Sequence, residues 1–239
     1  MSHENPITVV VGVGPGLGTA LAERFAREGH TIALLSRSQT SRKAAAERIA
    51  AAGGNTHGFD CDVTDSASTA AAFARIRDEL GDPSVLLYNA AMFAMGGILE
   101  LAPERFETAW KANCEGGFLA AREVLPAMVE NGTGTILFTG ATAALRSSAG
   151  FAGFAVGKFG LRALAQSMAR EFGPQGIHVA HIVIDGMINT PTVRGHFPDR
   201  DEDTLLATQA IAEQYWQLHQ QPRTAWTQEL DLRPYGETF

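Results

Sequence analysis

Residues 7–18 read Ile7-Thr8-Val9-Val10-Val11-Gly12-Val13-Gly14-Pro15-Gly16-Leu17-Gly18. The first five are all β-branched, stiff at χ1 and suited to a strand buried on both faces. The next seven include four glycines, so the backbone there can turn tightly and lie close to a ligand. An amphipathic stretch of helical length follows. A helix starting here points its free N–H groups and positive dipole end at an anion such as a pyrophosphate. Gly12, Gly14, Gly16, Leu17 and Gly18 form the expected cradle. A glycine-rich strand-to-helix turn without a ligand has the same local pattern, so the rest of the chain has to decide between the two.

Short β-branched runs alternate with alanine-rich stretches, the pattern of repeated βαβ units around a buried parallel sheet. Strands are predicted at about 6–11, 31–36, 56–60, 84–88, 134–139, 177–184 and 226–232. Helices are predicted near 16–28, 41–52, 66–80, 103–130, 152–172 and 204–219. Gly29, Gly53, Gly81 and Gly173 stand at helix ends, where a left-handed C-cap is wanted. Right-handed crossovers then wind the chain into a doubly wound α/β fold, a seven-stranded parallel sheet with helices on both faces. No linker, repeat or low-complexity tract divides residues 1–239, which are read as one domain. The least regular stretch, 190–203, is rich in Pro, Gly, Asp and Arg and reads as a mobile loop over a site. With the helix after it, it makes a lid or substrate region at about 190–219.

With 45% hydrophobic and 19% charged residues among 239, the chain can bury a sizeable core and lacks a disorder signature. Its net charge of −7 removes the general attraction to phosphate backbones, so no nucleic-acid partner is expected. Cys61 and Cys114 are too few for a disulfide framework and lack metal-ligand spacing, which points to reduced thiols and no metal. The polar start Met1-Ser2-His3-Glu4-Asn5-Pro6 has no basic leader followed by an apolar segment. No run approaches the ~18 apolar residues of a membrane span. A cytoplasmic protein without a membrane partner is the expectation.

Beyond the cradle, Gly12, Gly16 and Gly18 match the Gly-x-x-x-Gly-x-Gly spacing of the short-chain dehydrogenase/reductase family, and the resemblance runs through almost the whole chain. Asp62-Val63 resembles the family's adenine-contacting Asp-Val pair. Asn89-Ala90-Ala91 resembles its Asn-Ala-Gly turn, with Ala91 in place of glycine. Asn113 and Lys158 lie at the positions of the family's asparagine and of the lysine in Tyr-x-x-x-Lys. Asp185-Gly186-Met187-Ile188-Asn189-Thr190 resembles Pro-Gly-x-Val-x-Thr, which holds the nicotinamide carboxamide, with Asp185 in place of proline. The resemblance implies a Rossmann-type NAD(P)-binding domain. It also implies an oxidoreductase acting on a small-molecule carbonyl or alcohol, and a homodimer or homotetramer built through the C-terminal tail.

At the end of the second strand an acidic residue would take both ribose hydroxyls of NAD and repel a 2′-phosphate. The chain instead reads Leu35-Ser36-Arg37-Ser38. A guanidinium at Arg37 can grip a 2′-phosphate through charge-assisted hydrogen bonds, so NADP(H) is expected in preference to NAD(H). The alternative is a solvated arginine at a strand end.

In the family mechanism a tyrosine exchanges a proton with substrate, lysine lowers its pKa, serine orients the substrate and asparagine holds a relay water. Register from Asn113 and Lys158 places Phe154 at the tyrosine and Ala141 at the serine. Phe154 and Lys158 are spaced i, i+4 on one helix face, with Phe151 three residues earlier. Thr142, beside Ala141, is the nearest substitute hydroxyl; Tyr88, His181, His196 and Tyr215 are more distant alternatives without a motif behind them. The loop Met92-Phe93-Ala94-Met95-Gly96-Gly97-Ile98-Leu99 is apolar, suiting either a partly apolar substrate or helix packing. Two functions follow: an NADP(H)-dependent oxidoreductase with an atypical proton donor, or a noncatalytic NADP(H)-binding sensor or partner subunit.

Overall fold

The computed structural model describes residues 5–236. In chain order the elements are β1 (Ile7–Val11), α1 (Leu17–Ala26), β2 (Thr31–Ser36), α2 (Gln39–Ala51), β3 (Asn55–Asp60), α3 (Ser66–Leu80) and β4 (Val85–Tyr88). They continue with α4 (Pro103–Trp110), α5 (Gly116–Asn131), β5 (Gly134–Thr139), α6 (Ala152–Phe172), β6 (Ile177–Ile184), α7 (Pro191–His196), α8 (Thr208–His219) and β7 (Glu229–Leu232). The seven strands form one sheet in the order β3-β2-β1-β4-β5-β6-β7, with every pairing parallel. Chain order reverses between β1 and β4. A crevice therefore opens at the carboxyl ends of these two strands, where ligands of doubly wound sheets bind.

Successive strand residues face opposite cores, as the two-residue period of a strand requires. Val10, Ile32 and Leu34 pack with Leu21 of α1, Ile49 of α2 and Ile211 of α8 on one face. Val9, Val11, Ala33 and Leu35 pack with Phe73 of α3, Val124 of α5 and Leu161 of α6 on the other. Burial on both faces is why β1 reads as an unbroken apolar run. Each fully buried Val, Leu or Phe contributes about 1.5–3 kcal/mol.

Several expected boundaries move, each for a local reason. The stretch expected as one helix over 103–130 is interrupted by a π-helical segment, Lys111–Glu115, that carries Asn113. The last strand starts at Glu229 instead of 226, because Trp226 stacks on His178 at 4.9 Å and its indole donates to the Gln221 carbonyl. The final helix starts at Thr208; residues 202–204 form a separate 3-10 turn capped by the Asp201 side chain. Gly173 is not left-handed but has φ −54°, and the left-handed turn falls at Gly176 with φ +87°. The 190–203 region is partly regular, since Thr190 caps α7 by accepting a hydrogen bond from the Val193 N–H at 3.2 Å. Among the described residues no helix is long and apolar enough to cross a membrane.

Candidate functional site

The turn after β1 is held by close packing. Gly12 has φ +89°, and a Cβ there would lie 2.5 Å from the Ala90 nitrogen, so the β1 and β4 turns touch only because this residue is glycine. The Asn89 amide donates to the Gly12 carbonyl at 3.1 Å, which locks the same pair of turns. A Cβ on Gly18 would lie 2.5 Å from the Gly12 oxygen, and one on Gly16 would lie 2.6 Å from Thr190 Cγ2. Gly14 has open space around it, and its carbonyl accepts from Thr19 Oγ1 at 2.6 Å. No side chain caps the N-terminus of α1, and no acid lies in its first turn. The first N–H groups of α1 thus lack a side-chain acceptor, and its dipole is uncompensated, which fits an anionic ligand.

A cleft of about 540 Å³ opens beside this turn, lined by Gly12, Ser36, Arg37, Asp62, Val63, Asn89, Ala90 and Ala91. Asp62 accepts from the Thr64 N–H and hydroxyl at 3.0 and 2.8 Å. Burial works to raise its carboxyl, but those bonds and Arg37 outweigh burial and hold it below the usual range. Arg37 is 73% exposed and only 3.7 Å from Asp62, a loose pairing that leaves its guanidinium available. Arg42, which the sequence did not single out, is committed to the Ser36 carbonyl and to Asp60.

A second cleft, of about 730 Å³, has Asn89 and Ala91 in common with the first, so the two adjoin at the turn after β4. It brings together Leu17, Gly186, Ile188 and Thr190 from the cofactor set with Ala141, Thr142, Phe154 and Lys158 from the catalytic set. Lys158 is buried; its ammonium donates to the Thr139 carbonyl at 2.8 Å and lies 5.7 Å from the centroid of the Phe154 ring. Burial pulls that ammonium down to about 8. Phe154 also meets Phe93 at 4.8 Å between ring centroids, so the expected apolar loop does supply a wall.

Asn113 is fully buried and lines neither cleft. Its amide donates to the carbonyls of Met92 and Ala109 at 2.7 and 2.9 Å and its oxygen accepts from the Met92 N–H, so it clamps the loop after β4. Both amide hydrogens are thereby committed to backbone carbonyls. The more distant proton carriers are placed elsewhere. Tyr88 is buried and donates to the Ala112 carbonyl at 2.7 Å, and burial pushes its phenol well up. Tyr215 is buried against Thr139, at 2.8 Å between hydroxyls. His181 is buried with its Nδ1 3.2 Å from Glu229, and His196 bonds the Thr192 carbonyl within α7. None of the four lines the second cleft.

Thr142 does line it, but its hydroxyl donates to Asp185, a carboxylate only 2% exposed at the end of β6. Arg146 and Arg233 each approach Asp185 at 3.4 Å. This cluster escaped the sequence reading except for one signal, the acid standing in place of proline. No group of three or more His, Cys, Asp or Glu among the described residues is placed to hold a metal.

Comparison with known proteins agrees with this architecture. The short chain dehydrogenase family matches residues 6–201. The 3-oxoacyl-(acyl-carrier-protein) reductase MabA of Mycobacterium tuberculosis is 30% identical over 186 residues, 78% of this chain and 70% of that protein. The corresponding reductase FabG of Escherichia coli is 28% identical over 210 residues, 88% of this chain and 84% of its own length. A short-chain dehydrogenase from Rhodopseudomonas palustris superposes with a TM-score of 0.84 at 37% identity, covering 97% of this chain and 99% of the other. With the glycine turn, the switch-point crevice and a family match spanning most of its length, the chain belongs to the short chain dehydrogenase family.

Proposed function

We propose that this protein is an NADP(H)-dependent oxidoreductase that interconverts a carbonyl and an alcohol. The observation that carries the reading is that the two clefts adjoin at Asn89 and Ala91, with Lys158 buried in the wall of the second. When bound, the nicotinamide supplies or accepts the hydride. The uncapped start of α1 takes the pyrophosphate, Asp62 and Val63 flank the adenine, and Arg37 takes the 2′-phosphate. Lys158 holds the nicotinamide ribose, and Gly186, Ile188 and Thr190 border the carboxamide. Ala141 and Phe154 bring no oxygen to the reacting carbonyl.

Proton delivery then falls to Lys158. Among the side chains lining the second cleft it alone titrates near neutrality. Thr142 spends its hydrogen on Asp185 and can only accept from the substrate. The exposed Trp110, Phe118, Val156 and Phe159 on α4, α5 and α6 support assembly into a homodimer or homotetramer. The missing serine and tyrosine oxygens favour the second reading, a noncatalytic NADP(H)-binding subunit.

Titration with NADPH and NADH at matched ionic strength, followed by a carbonyl and alcohol panel, separates these readings. NADPH is expected to bind more tightly, and Arg37→Ala to lose about tenfold of that preference. This is the low end for a charged hydrogen bond because the residue is solvent-screened. Equal affinity for the two cofactors overturns the NADP assignment. NADPH binding without turnover across the panel supports the noncatalytic subunit.

A further inference from the structure

The second cleft is cationic in a chain whose net charge is −7. Arg146, Lys158 and Arg200 line it, and the lining includes no acidic side chain. The one carboxylate behind the wall, Asp185, is contacted by two guanidinium groups, Arg146 and Arg233, and by the Thr142 hydroxyl. Arg233 also pairs with Asp231, so the two guanidinium groups answer two carboxylates, and the positive character of the cleft rests on Arg146, Lys158 and Arg200 lining it while both aspartates stay outside the lining. Arg233 is the more buried of the two, with a side chain 20% exposed, while Arg146 is 49% exposed. Arg146 is thus tethered at one edge by Asp185 while presenting the rest of its guanidinium fork to the cleft. Arg200, from the loop after α7, bonds Thr204 Oγ1 at 3.2 Å and has no carboxylate within ion-pair distance among the described residues.

The rest of the wall is of the opposite character. Phe93 meets Phe151 edge to face at 5.8 Å and Phe154 at 4.8 Å, and all three rings border the cleft. Ser147 and Ser148 add hydroxyls beside Arg146. With alanine at 141 and phenylalanine at 154, a substrate carbonyl gains no orienting hydrogen bond from those positions. A contact on another part of the substrate adds to what Lys158 offers the carbonyl, and a bidentate guanidinium supplies both direction and affinity there.

We propose that this cleft takes a substrate bearing a carboxylate on an aryl or similarly flat apolar body, with Arg146 as its anion anchor and Arg200 as a second cation from the lid. The proposal rests on the oxidoreductase reading for the reaction, but not for the binding. Anchoring by a charged hydrogen-bonded pair in a partly desolvated cleft corresponds to roughly tenfold to a hundredfold in affinity. The positive lining also draws anions in, so the preference weakens as salt is raised.

The test compares benzoylformate with its methyl ester, two ketones differing in one charge, by calorimetry on the protein saturated with NADP⁺. Benzoylformate is expected to bind about tenfold or more tightly than the ester. Arg146→Gln is expected to erase that gap while leaving NADPH affinity unchanged, and Arg146→Lys to keep part of it. Arg146 sits on an exposed loop, and its removal leaves Asp185 with Thr142 and Arg233, so the variant is expected to fold; circular dichroism checks this. Equal binding of acid and ester, or a gap that survives Arg146→Gln, overturns the proposal. A parallel loss of NADPH affinity in Arg146→Gln also overturns it, by assigning the guanidinium to the cofactor. A preference for the acid without oxidation of NADPH by either ketone supports the anion site and counts against the oxidoreductase reading alone.

Discussion

Restoring the two missing oxygens with Phe154→Tyr/Ala141→Ser tests whether this is a dehydrogenase site stripped of its usual proton-transfer groups. The Phe154 ring is only partly buried and already lies beside the ammonium, with 5.7 Å between its centroid and Lys158 Nζ. A phenolate oxygen within about 5–6 Å of that ammonium, in surroundings of effective dielectric about 20, would be stabilised by about 3 kcal/mol. That lowers a phenol from its usual value of about 10 to about 8, before burial pushes it partly back. The double variant is then expected to reduce carbonyls about 10²–10⁴ times faster than the wild type, the usual worth of a positioned acid. NADPH oxidation followed across pH reads this out. A general acid acts in its protonated form, so the rate should fall as pH rises through the phenol pKa. Adding Lys158→Ala should remove the gain and move that fall toward about 10. A folded double variant that binds NADPH with no gain in rate refutes the register that places Phe154 and Ala141 at these positions. A gain that survives Lys158→Ala refutes the electrostatic argument.

Two further outcomes follow from the packing. Gly16→Val pushes a side chain into Thr190, 2.6 Å from where the Cβ would stand, so it should displace the segment around Thr190 and abolish dinucleotide binding by calorimetry while the thermal midpoint holds. Gly14→Ala meets open space and should change stability by less than about 0.5 kcal/mol. The fold should also weaken in acid. Burial pulls His181 and His219 down to about 4, so between the unfolded value of about 6.5 and that value the unfolded chain takes up protons that the folded chain refuses. Stability is fully present above that window and is lost as pH falls through it, by roughly 3 kcal/mol per histidine as an upper bound. Glu229, held below its ordinary value chiefly by Arg162, adds to the loss at lower pH. A urea midpoint that stays flat from neutrality to about pH 4.5 would contradict this account.

Much of this molecule is legible in one dimension. A run such as Ile7–Val11 suits a parallel strand buried on both faces, and the inner strands share that character, whereas the edge strands Asn55–Asp60 and Glu229–Leu232 are more polar and more exposed. The glycines were legible because their reasons are local and steric: Gly12 needs φ +89° and room for Ala90. That Phe154 and Lys158 share one helix face followed from their i, i+4 spacing, and both line the second cleft.

What the sequence did not contain was contact between residues far apart along the chain. Nothing near Thr142 says that its hydroxyl is spent on Asp185, 43 residues away, and nothing near Asp185 says that Arg146 and Arg233 converge on it. Asn113 sits at its expected place, yet whether its amide faces a water or the Met92 backbone depends on how the loop after β4 folds over the π segment. Tyr88, His181 and Tyr215 carry the same chemistry on paper as a catalytic group, and only burial removes them from the cleft. Backbone conformation and apolar periodicity act between near neighbours and so are written in the sequence. Charge pairing, desolvation and access to a cleft depend on distances in space, and only the packed sheet and its loops decided them.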